Sequence, residues 1–208
     1  MKLKYSHNAQ EIDCNFVADM SKLSNFNSLP FSALSIIQLY EILTLRQEVF
    51  VVEQNCPYLD CDGLDLQSWH LMGYDEKGKL CCYTRLLPLN LPYKGYSSIG
   101  RVLTAQSVRN TGAGKLLMKK SIDQCYELFG PHPIKIGAQV YLLKFYESFG
   151  FYKTGEEYME DGIPHIKMIL NAPVRHFLTY TAAKKPLNQF WTKSLFPRQT
   201  PFSYWAIS

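Results

Sequence analysis

Arg109-Asn110-Thr111-Gly112-Ala113-Gly114-Lys115 lies between an extended stretch, Tyr96 to Thr104, and a segment whose Met118, Ile122, Cys125 and Phe129 recur at helical spacing. Gly130-Pro131 supplies the stop for that helix. A glycine-rich turn opening a helix aims several unpaired backbone N–H groups, and the positive end of the helix dipole, at one point. Such a point seats a phosphate or pyrophosphate. The run therefore predicts a phosphorylated cofactor.

What the run lacks narrows the choice. A nucleotide-binding P-loop needs Gly where Arg109 stands and Ser or Thr where Leu116 stands. A dinucleotide fingerprint needs Gly in place of Leu117, within a parallel strand-helix-strand unit. What remains is Arg109-x-x-Gly112-x-Gly114, which resembles the pyrophosphate loop of the GNAT superfamily of acyl-CoA N-acyltransferases.

A second segment is in register with the first. Pro133 to Ala138 reads as a strand, and after it comes a short helical segment with Tyr146 four residues before Gly150-Phe151. GNAT enzymes carry a Tyr at this spacing. The resemblance implies that its phenol lies near the CoA sulfur and returns a proton to the departing thiolate; the bland reading is a buried Tyr in an aromatic cluster. Gln139 and Leu142 stand where many GNATs have Asn and Ala, and the resemblance gives Gln139 the pantetheine amide.

A third set of strings is similar to the ElaA-like GNAT family: Val49-Phe50-Val51-Val52-Glu53-Gln54-Asn55-Cys56-Pro57-Tyr58, Asp62-Gly63, Ile99-Gly100-Arg101-Val102, Gly137-Ala138-Gln139 and Glu160-Asp161-Gly162-Ile163-Pro164-His165-Ile166. In that family Gln at 139 is normal. The likeness spans roughly residues 24 to 171. It implies an α/β (α+β) GNAT fold: a mixed, mostly antiparallel sheet with helices on both faces.

The expected element order agrees. A strand near Asn25 to Leu29 precedes a helix signed by Ser35 and Gln38 as a capping box, with an apolar stripe of Ile36, Leu39, Leu43 and Phe50 and, on the same face, Arg46, snorkelling or ion-paired. Ser68–Tyr74 and Leu80–Leu87 form a hairpin about Glu76-Lys77-Gly78, and two last strands flank Asp161-Gly162. In GNAT proteins the strand bearing Val102, Leu103 and Thr104 and the one ending at Ala138 are parallel neighbours that splay. The resemblance then gives the open edge of Val102–Thr104 to pantetheine and residues Arg109, Asn110, Thr111, Gly112, Ala113, Gly114 and Lys115 to the pyrophosphate of acetyl-CoA. A backbone N–H near Leu103 would face the thioester oxygen. On the acceptor side, Glu53, His70, Asp161 and His165 are the candidates for receiving the amine proton. His165 is the first choice, Glu53 the second, and His70 reads as a satisfied core residue.

Composition sets the bounds. The chain has 208 residues, 47% of them hydrophobic, which suits one domain with extensions: 1–23, 24–171 and 172–208. Six cysteines show no disulfide-scaffold or zinc spacing, so free thiols in a reducing cytoplasm and no metal are expected. No run is apolar enough to span a membrane, and the amino terminus lacks a signal core. Of the net +4, residues 172–208 hold five basic and no acidic residues, with eight large aromatics. The rest is near neutral, which disfavours nucleic acid as a partner of the domain. The tail is expected to pack on its own domain or on a second subunit of a homodimer. Three activities remain open: an N-acetyltransferase taking a small-molecule or peptide amine, a catalytically silent CoA-binding or interaction module, and an acyl-homoserine-lactone-synthase-like enzyme, the last disfavoured by the intact loop.

Overall fold

In the computed structural model the described residues are 23–173; the expectations for the amino-terminal extension, Cys14 and the aromatic tail lie outside them. Within this span the strands form two antiparallel sheets. The first is a meander in the order β1 (Leu23–Pro30), β2 (Trp69–Asp75), β3 (Leu80–Leu87) and β4 (Ser98–Thr104). The second has the order β5 (Ile134–Gln139), β7 (Ile163–Leu170) and β6 (Tyr152–Glu160). A single parallel bridge, Ser97 to Ile134, joins them. There the Ser97 N–H donates to Pro133 O at 3.2 Å and the Lys135 N–H to Ser97 O at 3.0 Å. Beyond that point no ladder links β4 to β5, so the expected splay is present.

Helices cover the first sheet on both faces. Ser35 opens α1 (Ile36–Arg46): its Oγ accepts the Gln38 N–H at 3.1 Å while Gln38 Oε1 accepts the Ser35 N–H at 2.9 Å, the full capping box. The apolar stripe is not the one expected. Ile36 is 86% exposed, and the buried residues of α1 are Ile42, Leu45 and Arg46, followed by Val49. They pack on Met72, Leu80, Tyr83 and Leu103. Arg46 is on the buried face and ion-paired, as expected, but exposed Ile36, Ile37 and Tyr40 imitate an apolar stripe and displace the expected one. Past Arg46 the chain widens into π-helical turns, Gln47–Glu53, which carry Phe50 and Glu53 toward the site.

On the other face lies α2 (Ala113–Phe129), burying Ala113, Leu117, Met118, Ser121 and Cys125. Ser121 Oγ meets Thr84 Oγ1 at 2.8 Å, so the polar pair in this interface is satisfied. Each fully buried aliphatic here contributes roughly 1.5–3 kcal/mol. The short helix α3 (Leu143–Glu147) adds Tyr146 and Phe145 to the same core. β6 and β7 meet at Asp161-Gly162, both at positive φ, as a two-residue hairpin turn of the primed kind requires.

Candidate active site at the fork of the two sheets

The loop before α2 is built to present backbone N–H groups. Thr111 Oγ1 donates to Val108 O at 2.7 Å and pins the turn from within. Asn110 and Gly112 take φ of 62° and 79°, a left-handed conformation that Gly adopts without strain. Gly112 is the N-cap of α2 and offers no side chain, so no side-chain cap occupies the helix start. The first N–H groups of a 17-residue helix are thereby left to an external acceptor. Arg109 is less open than expected. Its guanidinium donates to both carboxylate oxygens of Glu53, one at 2.8 Å, and to Thr104 O at 3.0 Å and 3.2 Å.

β4 is distorted where the sheets part. Tyr83 pairs with Leu103 and Arg85 with Gly100, so β4 carries one extra residue, and Arg101 within it has φ 53°. Val102 faces the cavity, whereas the Leu103 side chain belongs to the core under α1. The cavity in the fork has a volume of about 250 Å³ and is lined among others by Val102, Gln139, Tyr146, His165 and Lys167. Tyr146 is buried in an edge-to-face aromatic group with Phe145 (5.2 Å) and Phe151 (6.1 Å). Burial pushes its phenol well above the ordinary value, so it stays protonated at neutral pH. The core-aromatic reading of Tyr146 thus holds, and the same residue lines the cavity.

The bulge is held by a charge cluster that sequence reasoning missed. Asp60 accepts from Arg46 Nε, Arg101 Nε and the Tyr58 hydroxyl, each at 2.7 Å. Asp65 accepts from Arg46 and Arg85 at 2.8 Å and 3.0 Å, and Asp62 takes both terminal nitrogens of Arg85 at 2.7 Å. Three arginines and three aspartates therefore neutralise one another beside the cavity. Burial would raise the Asp62 carboxyl, but the Arg85 hydrogen bonds and the Leu64 N–H draw it down to about 2. The aspartates lie in the segment between α1 and β2, and Arg85 and Arg101 arrive from β3 and β4. Only the repeated Asp at 60, 62 and 65 hinted at the cluster.

Glu53, expected near the acceptor, is clamped by Arg109, whose hydrogen bonds hold its carboxyl below the usual range. With side chains 33% and 45% exposed, the pair is worth under about 1 kcal/mol. His165 Nδ1 lies 2.9 Å from Ile163 O. A carbonyl only accepts, so Nδ1 carries the proton and Nε2 of the neutral ring holds the free lone pair. His70 is, as expected, a satisfied core residue, 1% exposed: Nε2–H donates to Asp65 O at 3.1 Å and Nδ1 accepts from the Tyr83 hydroxyl at 2.8 Å. Gln139 Nε2 reaches Gln54 at 3.4 Å and stands opposite His165 across the β5–β7 ladder. Cys56, Cys61, Cys81, Cys82 and Cys125 are free thiols, and among the described residues no helix is long and apolar enough to cross a membrane.

Comparison with known proteins bears on this geometry. Residues 63–172 match the family model described as the acetyltransferase (GNAT) domain. The UPF0039 protein sll0451 of Synechocystis is 44% identical over 151 residues, covering 72% of this chain and 96% of that protein. The crystal structure of Escherichia coli ElaA superposes with a TM-score of 0.65 at 41% identity, covering 70% of this chain and 97% of that one. An acyl-CoA N-acyltransferase from Pseudomonas aeruginosa gives a TM-score of 0.66 at 39% identity, over 71% and 98% of the two chains.

Proposed function

The chain belongs to the GNAT acetyltransferase family, and from that premise we propose that it moves an acetyl group from acetyl-CoA directly to an amine. One observation carries this reading. The start of α2 has no side-chain cap, and Tyr146 lines the cavity in the fork between β4 and β5; the first suits a pyrophosphate and the second a leaving sulfur.

The residues fit the co-substrate. Backbone N–H groups of 109 to 115 would take its pyrophosphate, with Lys115 adding charge, and Arg109 doing so once it exchanges Glu53 for phosphate oxygens. The open edge of Val102–Thr104 would pair with the pantetheine amides as an added strand does, and Gln139 would face them from β5. When bound, acetyl-CoA supplies the acyl group as a thioester.

The chain's own groups then handle protons. The amine nitrogen forms the new C–N bond as the C–S bond breaks, and Tyr146 donates its proton to the departing sulfur. An N–H near Leu103 would stabilise the oxyanion. The amine is protonated at neutral pH and must lose a proton first. His165 supports that step best, because its Nδ1 is committed to a carbonyl and its Nε2 lone pair is left to accept. Glu53 is a weaker base while Arg109 holds it, and its remaining role is to order the π-helical turns against the loop.

Gly112→Val tests the cofactor assignment. A β-branched residue at φ 79° is strained by roughly 1–2 kcal/mol and crowds the N–H cradle. Calorimetric titration of the folded variant should show CoA affinity down at least tenfold; unchanged affinity would remove the loop from the cofactor site.

A further inference from the structure

The acceptor end of the cavity contains one cation with no acid of its own. Arg85 and Arg101 also line it, but both are neutralised by Asp60, Asp62 and Asp65. Lys167, on β7 and two residues from His165, forms no ion pair among the described residues. Its ammonium instead donates to the hydroxyls of Tyr93, at 3.0 Å, and Tyr158. It also lies over both rings, 5.3 Å and 4.4 Å from their centroids. Burial pushes the ammonium down, but the two phenol hydrogen bonds more than offset this and keep it charged.

The head group is deliberately housed. Lys167 stands opposite Gly137 in the β5–β7 ladder. A Cβ at 137 would come within 2.9 Å of the Tyr158 hydroxyl and 3.2 Å of Lys167 Nζ. Any Cβ at 137 would make these two side-chain ends shift from where they lie across the strand.

From this we infer that Lys167 and Tyr93 form a carboxylate subsite, and that the acceptor is an amine bearing a carboxylate, such as an amino acid. An ammonium has three N–H donors, and two are spent on the phenols. Tyr93, which lines the cavity, still has its own O–H to give after accepting from the ammonium. One N–H and one O–H match the two oxygens of a carboxylate. A phosphate would need more donors and charge than this end of the cavity offers, since its arginines are committed. Glu160 and Asp161, lining the same cavity, suit the ammonium end of such a zwitterion. The inference rests on the amine acetylation proposed above.

The experiment pairs each free amino acid with its carboxamide, adds a phosphorylated amine, and follows thiol release from acetyl-CoA with the full chain. The expected result is a preference for the carboxylate by at least tenfold in kcat/KM, with Lys167→Met bringing the carboxylate-to-amide ratio near one. Equal use of the pair, preference for the phosphorylated amine, or an unchanged ratio in Lys167→Met would overturn the subsite. If no amine is acetylated, the transfer reading fails. Calorimetric titration of the CoA-loaded protein with an N-acetyl amino acid and its amide then judges the subsite alone, and indistinguishable affinities for the two overturn it.

Discussion

Replacing Tyr146 with Phe removes one oxygen from a ring whose packing is otherwise fixed. The ring is held edge-on by Phe145 and Phe151, and the hydroxyl, which lines the cavity, has no hydrogen-bond partner among the described residues. The loss of folding stability should therefore stay within about 0.5 kcal/mol, the range of a substitution that breaks no buried contact. Turnover should suffer far more. Positioned proton donation contributes typically 10²–10⁴-fold, so the variant should lose on the order of a hundredfold in kcat, or about 2.7 kcal/mol of transition-state stabilisation. Acetyl-CoA affinity should be nearly unchanged, because the pyrophosphate is held elsewhere. Single-turnover thiol release, with thermal melting alongside, separates these quantities. The phenol also stays protonated through neutral pH, so the wild-type rate should show no alkaline fall from Tyr146 near its ordinary titration range. Full single-turnover rate in Tyr146→Phe would refute the role of proton donor.

The charge cluster yields two stability predictions. Asp60→Asn leaves Arg46 and Arg101 without their shared carboxylate, and removing one partner of a buried ion pair costs about 3–5 kcal/mol; the melting temperature should fall by on the order of 10 °C, and an unshifted melt would show the cluster to be inert. Asp62 and Asp60 are both held below their ordinary 3.8, Asp62 at about 2, so their contribution is complete above that ordinary value and lost as pH falls through the folded one. Acid unfolding followed by circular dichroism should therefore steepen between about pH 4 and 2, and Asp62→Asn should flatten that limb.

What the sequence disclosed was local or glycine-marked. The capping box at Ser35 and Gln38 spans three residues and depends on nothing distant, so it could be read directly. Gly112 with the following helical repeat announced the start of α2, and Asp161-Gly162 announced the last turn. The buried face of α1 was misread because Ile36, Ile37 and Tyr40 are apolar yet exposed, and the partners that hold Arg46 in the core lie 14 and 19 residues further on. The clamp of Arg109 on Glu53 joins positions 56 apart and has no periodicity to betray it. The bulge in β4 was equally silent: Arg101 is a non-glycine residue at positive φ, and what keeps it there is a set of aspartates from another segment. Nothing in the sequence marked Lys167, whose partner Tyr93 lies 74 residues away.

The single bridge between Ser97 and Ile134 also divides the backbone pairing of the described residues into two local sets. Each sheet pairs strands that are near neighbours along the chain, residues 23–104 in one and 134–170 in the other, so each closes loops of low entropic cost. The junction between them contributes almost no backbone pairing and relies on one buried cluster that holds Leu117 and Met118 together with Ile134, Ile136 and Met168. The fork is thus the seam between two locally paired halves. A ligand lying along that seam acts as a suture, and its effect on unfolding rate should exceed that of any equally tight ligand bound within one half.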